Sequence, residues 1–177
     1  MSERRKTLRD HESIIIERFV EWYNEKHDQD YFVHKRLDPP DAVIINNKDE
    51  KSFIEFTDVW YSGAYARDHY SYASKDEEHV PMKGPFVNMD DTFSRRFAKQ
   101  VKNKKEKKSY SDAYDKYGPG MLLLYLQYPW LNELTFRFME ERLEETEIND
   151  TGYFSTMYIG WPSRGESAFS EWDNFNL

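Results

Sequence analysis

The spacing of hydrophobic and polar positions changes several times along the chain, and each change predicts an element. Between His11 and Lys26 the apolar residues Ile15, Ile16, Phe19, Trp22 and Tyr23 recur at helical spacing, and Asp10 stands where an N-cap would. Residues 1–10 ahead of it are rich in charge and are expected to be flexible. Tyr31 to Arg36 is short and β-prone, and Asp38-Pro39-Pro40 ends it because proline offers no N–H to a ladder. Asp41 to Ile45 then reads as a strand, Asn46 to Asp49 as a hairpin turn, and Ser52 to Trp60 as the partner strand. Residues 63–87 lack a clear period. A connection of that length is expected to be a functional loop.

Asp90 to Tyr110 predicts a second helix, whose apolar stripe is Phe93, Phe97 and Val101. After Gly118-Pro119-Gly120, the run Met121 to Tyr128 reads as a buried strand ended by Pro129. Asn132 to Ile148 predicts a third helix with Leu134, Phe138 and Leu143 in its stripe. Tyr153 to Trp161 predicts a last strand, and residues 162–177 an irregular tail. The order α-β-β-β-α-β-α-β describes an α/β protein: a three-strand meander extended into a mixed sheet, with helices on its faces.

Composition narrows this picture. A chain of 177 residues suits one domain, residues 1–177, and an aromatic share of 17% supplies the large side chains a core needs despite a mean hydropathy of -0.95. The absence of cysteine removes disulfides, thiolate metal sites and cysteine nucleophiles. The longest apolar run, Met121 to Leu126, is far too short to span a bilayer, and no apolar segment follows the charged N-terminus. A cytoplasmic protein without a membrane partner is expected. The five histidines have no metal-ligand spacing, and no glycine-rich phosphate loop is present.

Charge then points to chemistry. The net charge of -8 argues against a generic nucleic-acid coat, yet residues 95–108 carry eight Lys or Arg against the single acid Glu106. Asp41 opens one apolar strand and Glu55 lies inside the next, between Ile54 and Phe56. Paired as a hairpin, the two strands bring both carboxylates towards one end of the sheet. Close carboxylates repel unless a proton or cation intervenes, and oxygen ligands favour magnesium or manganese.

Pro40-Asp41 followed by Glu55-Phe56-Thr57 resembles the signature of the PD-(D/E)XK nuclease-like superfamily, with Thr57 in place of its lysine. The resemblance implies a restriction-endonuclease-like α-β-β-β-α-β core, here with an additional C-terminal helix and strand. It further implies a Mg2+ (or Mn2+) ion held by Asp41, Glu55 and the carbonyl of Phe56, and hydrolysis of phosphodiester bonds, in DNA ahead of RNA. The family often adds a glutamate from the first helix. Glu12 falls on the apolar face and Glu17 about opposite, so Glu12 is the candidate.

Thr57 cannot supply positive charge, and some members carry their lysine on another element. On the apolar face of the second helix lie Gln100, Lys104 and Lys108, whereas Lys102, Lys105 and Lys107 project elsewhere as solvated groups. Lys104 is the first choice for the relocated lysine, Lys108 the second, and Gln100 and Arg96 supporting contacts to nucleic acid.

Competing readings are plain. Asp41 is also a common residue after prolines, Glu55 could face solvent, Glu12 could serve a helix dipole, and the lysines could form a solvated face. A catalytically inactive module of the same fold, binding nucleic acid or a protein partner, is the alternative function. A homodimer is compatible with the family.

Overall fold

The computed structural model describes residues 3–73, 78–84, 86–146 and 152–172. Helix α1 spans Glu3–His27, and strands β1 Phe32–Arg36, β2 Ala42–Ile45 and β3 Lys51–Trp60 follow it. Helix α2 is Gly63–Ala73 and α3 is Met89–Lys105. A 3-10 turn at Lys108–Tyr110 leads into α4 Ser111–Tyr117, then β4 Gly120–Gln127, α5 Glu133–Glu144, β5 Phe154–Ser163 and β6 Glu166–Glu171. The strands form one mixed six-stranded sheet in the order β1-β2-β3-β4-β5-β6. The β3–β4 and β4–β5 pairings are parallel and the others antiparallel.

The central strand explains the architecture. All eight residues of β4 are buried, because its two faces meet two different cores. Leu122, Leu124 and Leu126 join Val43, Phe53, Phe93, Phe97 and Val101 on the face covered by α3 and α5. Met121, Leu123 and Tyr125 join Ile16, Phe19, Ile44 and Ile54 on the face covered by α1. A strand buried on both sides loses the polar alternation of a half-exposed one. Gly120 begins β4 under the Phe53 ring, where any Cβ would overlap it. Helix α5 starts at a capping box formed by Asn132 and Thr135.

Several expectations are corrected. The first helix begins at Glu3, so Asp10 lies inside it and most of residues 1–10 are helical rather than flexible; residues 1 and 2 lie outside the described residues. The expected loop 63–87 opens with α2, which hides from a hydropathy reading because its one buried residue is the polar Ser71, with Tyr65 half-buried. Residues 74–77 and 85 of that segment lie outside the described residues. The second helix stops at Lys105 instead of Tyr110, and α4 was not anticipated.

Leu134 is exposed, and the buried stripe of α5 is Thr135, Met139 and Leu143; the expected end at Ile148 falls outside the described residues. The expected irregular tail contains β6, which pairs with β5 through a two-residue turn at Arg164 and Gly165, both at positive φ. Residues 173–177 are not described. No helix among the described residues is long and apolar enough to cross a membrane.

Candidate functional site

Strand β3 sets the site. Its inner positions alternate between the two cores, and at Glu55 the face towards α3 receives a carboxylate where Phe53 and Val59 place apolar groups. Glu55 is only 3% exposed. A buried carboxylate needs partners. Lys104 Nζ, from the last turn of α3, donates to Glu55 Oε1 at 2.5 Å, and the Tyr110 hydroxyl donates to the same oxygen at 2.7 Å. Glu55 Oε2 is sealed from water and has no hydrogen-bond partner among the described residues.

Asp41 comes to this carboxylate through the register of the hairpin. Ala42 pairs with Ile54, so the preceding residue lies beside Glu55, and Asp41 Oδ2 accepts the backbone N–H of Phe56 at 2.7 Å. Burial, with the nearby Glu55 and Glu12 carboxylates, pushes the Asp41 carboxyl up to about 7, against the opposing pull of the Phe56 N–H and Lys104. A carboxyl so placed exchanges its proton near neutral pH, which suits a proton acceptor or a cation ligand.

Glu12 lies on α1 and shares with Asp41 the lining of a cavity of about 420 Å³, together with Arg9, Ser13, Arg36, Leu37 and Asp38. Burial raises its carboxyl, Arg36 opposes the rise, and Glu55 adds to it. Glu17 instead projects outward to within 3.6 Å of Arg36. Tyr110 is held firmly protonated, first by burial and then by Glu55.

The structure therefore gathers Asp41, Glu55, Glu12 and Lys104 where the start of β2 meets the middle of β3. The remaining candidates are dispersed. Thr57 is half-buried one turn of the pleat beyond Glu55, and Gln100 is half-buried on α3. Lys108 is exposed, because α3 ends before it. Arg96 is exposed and donates to the carbonyl of Trp60 at 3.1 Å. Phe56 contributes its N–H to Asp41, and its side chain packs on the α1 face. Lys105, expected to be solvated, is 4% exposed.

Sequence reasoning missed Tyr110. Six residues beyond Lys104, it would face away from that lysine in a continuous helix. The break at Glu106 and the 3-10 turn return it to Glu55, and no periodicity announces that return. A second polar cluster was also missed, on the opposite face of β3. There Asp58 Oδ1 takes Gln127 Nε2 at 2.9 Å and lies 3.2 Å from His11 Nε2, while Tyr70 donates to Oδ2 at 3.4 Å.

Among the described residues, no group of three or more His, Asp or Glu side chains is arranged to hold a metal ion. The donors present are a pair: Asp41 and Glu55, with Glu12 across the cavity. The unpartnered Oε2 and the mutual repulsion of the three acids fit a hard cation, because each is relieved by positive charge. Comparisons with protein-family models, with curated proteins and with solved structures find nothing that matches this chain.

Proposed function

We propose that the protein is a metal-dependent nuclease-like enzyme that hydrolyses phosphodiester bonds in DNA. The observation that carries this reading is Glu55: a buried carboxylate with Lys104 and Tyr110 on one oxygen and no partner among the described residues on the other, next to an Asp41 whose proton is labile near neutrality. The position of Lys104 adds support, since its ammonium reaches the acid pair from α3 and makes up for the uncharged Thr57. The order of β1 to β4 with the parallel β3–β4 pairing is compatible with a restriction-endonuclease-like core.

In this reading Asp41, Glu55 and the Phe56 carbonyl would hold Mg2+ or Mn2+, which would supply an activated water and charge stabilisation at the phosphate. The chain's own residues do the rest. Glu12 holds a water or completes the acid set from α1. Lys104 stabilises negative charge on the phosphate and orients the attacking water, in a site where burial strengthens its field. Tyr110 restrains the Glu55 carboxylate so that Oε2 is the oxygen left for a cation. Arg96, Gln100 and Lys108, dispersed over the basic segment away from the acid pair, would meet the nucleic-acid backbone at its flanks rather than at the reacting phosphate.

The test is cleavage of duplex and single-stranded DNA by the purified protein with Mg2+ or Mn2+, against Asp41→Ala and Glu55→Ala. Metal-dependent cleavage lost in both variants is expected. Cleavage retained in both rejects the assignment.

One observation favours a second reading, a catalytically inactive module of the same type that binds nucleic acid or a protein. The Lys104 ammonium already occupies a Glu55 oxygen, and such an ion pair can substitute permanently for a cation. Calorimetric titration with Mn2+ separates the two: no binding at the acid pair selects the inactive module.

A further inference from the structure

Beyond the carboxyl ends of the parallel strands β3, β4 and β5 the fold leaves a second cavity, of about 560 Å³, between α2 and α5. Open α/β sheets take ligands in that position. It shares no lining residue with the cavity beside the acid pair. Although 33% of the chain is charged, none of the nine residues lining it is an acid, lysine or arginine. Tyr65, Tyr128, Phe136 and Trp161 supply aromatic walls, and proline and leucine complete the apolar part. The walls are braced: Tyr128 stacks on Phe93 at 4.7 Å, and Phe136 meets Trp161 edge to face at 5.9 Å. Yet Tyr65, Phe136 and Trp161 are only half-buried, so apolar area is left for an occupant to cover.

Two polar side chains join this aromatic lining. Gln127, at the end of β4, donates from Nε2 to Asp58 Oδ1 at 2.9 Å. A carboxylate only accepts, so the amide nitrogen is committed there and the side chain is fixed. Gln127 Oε1 is left without a hydrogen-bond partner among the described residues, and it is not one of the atoms sealed from water. His69, exposed at the rim, packs on the Trp60 ring at 5.2 Å, and its nitrogens have no hydrogen-bond partner among the described residues.

We propose that this cavity binds an uncharged nucleobase bearing an exocyclic amine, stacked on Trp161 and Phe136 with the amine on Gln127 Oε1 and His69 at its outer edge. The lining selects this class by elimination. A phosphate, carboxylate or ammonium finds no countercharge there. A sugar carries more hydroxyls than one amide and one imidazole can satisfy. A purely aliphatic ligand covers the walls but leaves the fixed acceptor of Gln127 unpaired. A flat heteroaromatic ring with a donor edge meets both demands, and aromatic side chains stack any base. The site goes beyond the nuclease reading and does not depend on it, since no residue of the acid pair takes part.

The test is calorimetric titration of the full chain, with divalent cations chelated, against adenosine and against purine riboside, which lacks the exocyclic amine. Adenosine should saturate one site and bind about fivefold more tightly than purine riboside, the value of one hydrogen bond to a neutral acceptor. Trp161→Leu should weaken adenosine about tenfold through lost stacking. His69→Ala should weaken it about threefold, at an exposed position where folding is not at stake. Gln127→Met should bring the two ligands to equal affinity, a change that loss of packing alone does not produce.

No saturation by adenosine up to about 10 mM overturns the site. So does unchanged affinity in both Trp161→Leu and His69→Ala. A preference for adenosine that survives in Gln127→Met, or that is absent from the unaltered protein, overturns the amine contact and the ligand class with it. Each of these failures leaves the nuclease reading standing, because no metal is present. A short single strand of deoxyadenosine distinguishes the source of the base: tighter binding than adenosine assigns the cavity to a base within a strand, and equal or weaker binding assigns it to a free nucleoside.

Discussion

Two acids on one strand, Glu55 and Asp58, meet opposite fates. Asp58 faces α1 and is fully partnered: Gln127, His11 and Tyr70 surround both its oxygens with groups from β4, α1 and α2. Glu55 faces α3 and receives two donors on one oxygen and, among the described residues, none on the other. The first arrangement ties three elements together and leaves no valence to spend. The second keeps a buried acceptor in reserve at a cost of about 1–3 kcal/mol, which packing alone gives no reason to retain. Polar groups in a core are thus not equivalent evidence for function; the unsatisfied one carries the argument.

The comparison can be broken by substitution. The largest expected effect is on activity: Glu55→Ala should reduce Mn2+-dependent DNA cleavage by at least about a hundredfold in a gel assay, whereas Asp58→Asn should leave it within a few fold. Equal losses would show that both acids serve the same purpose. Next comes stability. Lys104→Ala strands a buried carboxylate and should cost about 3 kcal/mol in urea denaturation, at the lower end for broken buried pairs because the lysine is partly exposed. Asp58→Ala removes an acceptor from uncharged Gln127 and Tyr70 and from the part-exposed His11, and should cost about 1–2 kcal/mol.

A pH titration sharpens the difference. Folded Asp41 holds its proton up to about 7, whereas the unfolded chain releases it near the ordinary carboxylate value. Between those limits the folded state binds more protons, so Asp41 makes the protein less stable as pH rises from about 4 to about 7. Asp41→Asn should be the more stable form at the upper end, and the gap in melting temperature should close towards pH 4. A gap that does not change with pH would contradict a buried, raised carboxyl. The smallest effect belongs to Tyr110→Phe, which removes one of two donors on Glu55 Oε1 and should cost about 1 kcal/mol.

Much of this was legible in order along the chain. The strands around Ala42–Ile45, Lys51–Trp60 and Gly120–Gln127 announced themselves because each is apolar, short and bounded by proline, asparagine or glycine. The acid pair was legible because Asp41 and Glu55 interrupt those runs, and Lys104 because it extends the stripe of Phe93, Phe97 and Val101 on α3. Helix α2 was not: its buried side is serine, flanked by half-buried tyrosines, which a hydropathy period cannot distinguish from a loop. Strand β6 was hidden for a related reason, since most of Glu166–Glu171 is only half-buried and its place comes from pairing with β5.

Local pattern by itself thus determined which segments are strands and helices and which face of each carries an odd charge, because those properties depend on neighbours one to four residues away. Only the tertiary structure decided what each charge meets. Tyr110 reaches Glu55 from 55 residues away, Gln127 reaches Asp58 from 69, and Arg36 shares a cavity with Glu12 and Asp41 because α1 passes the connection between β1 and β2 there. Such meetings depend on how the chain closes in space, and the free energy of a buried polar group is set by its partners rather than by its own residue type.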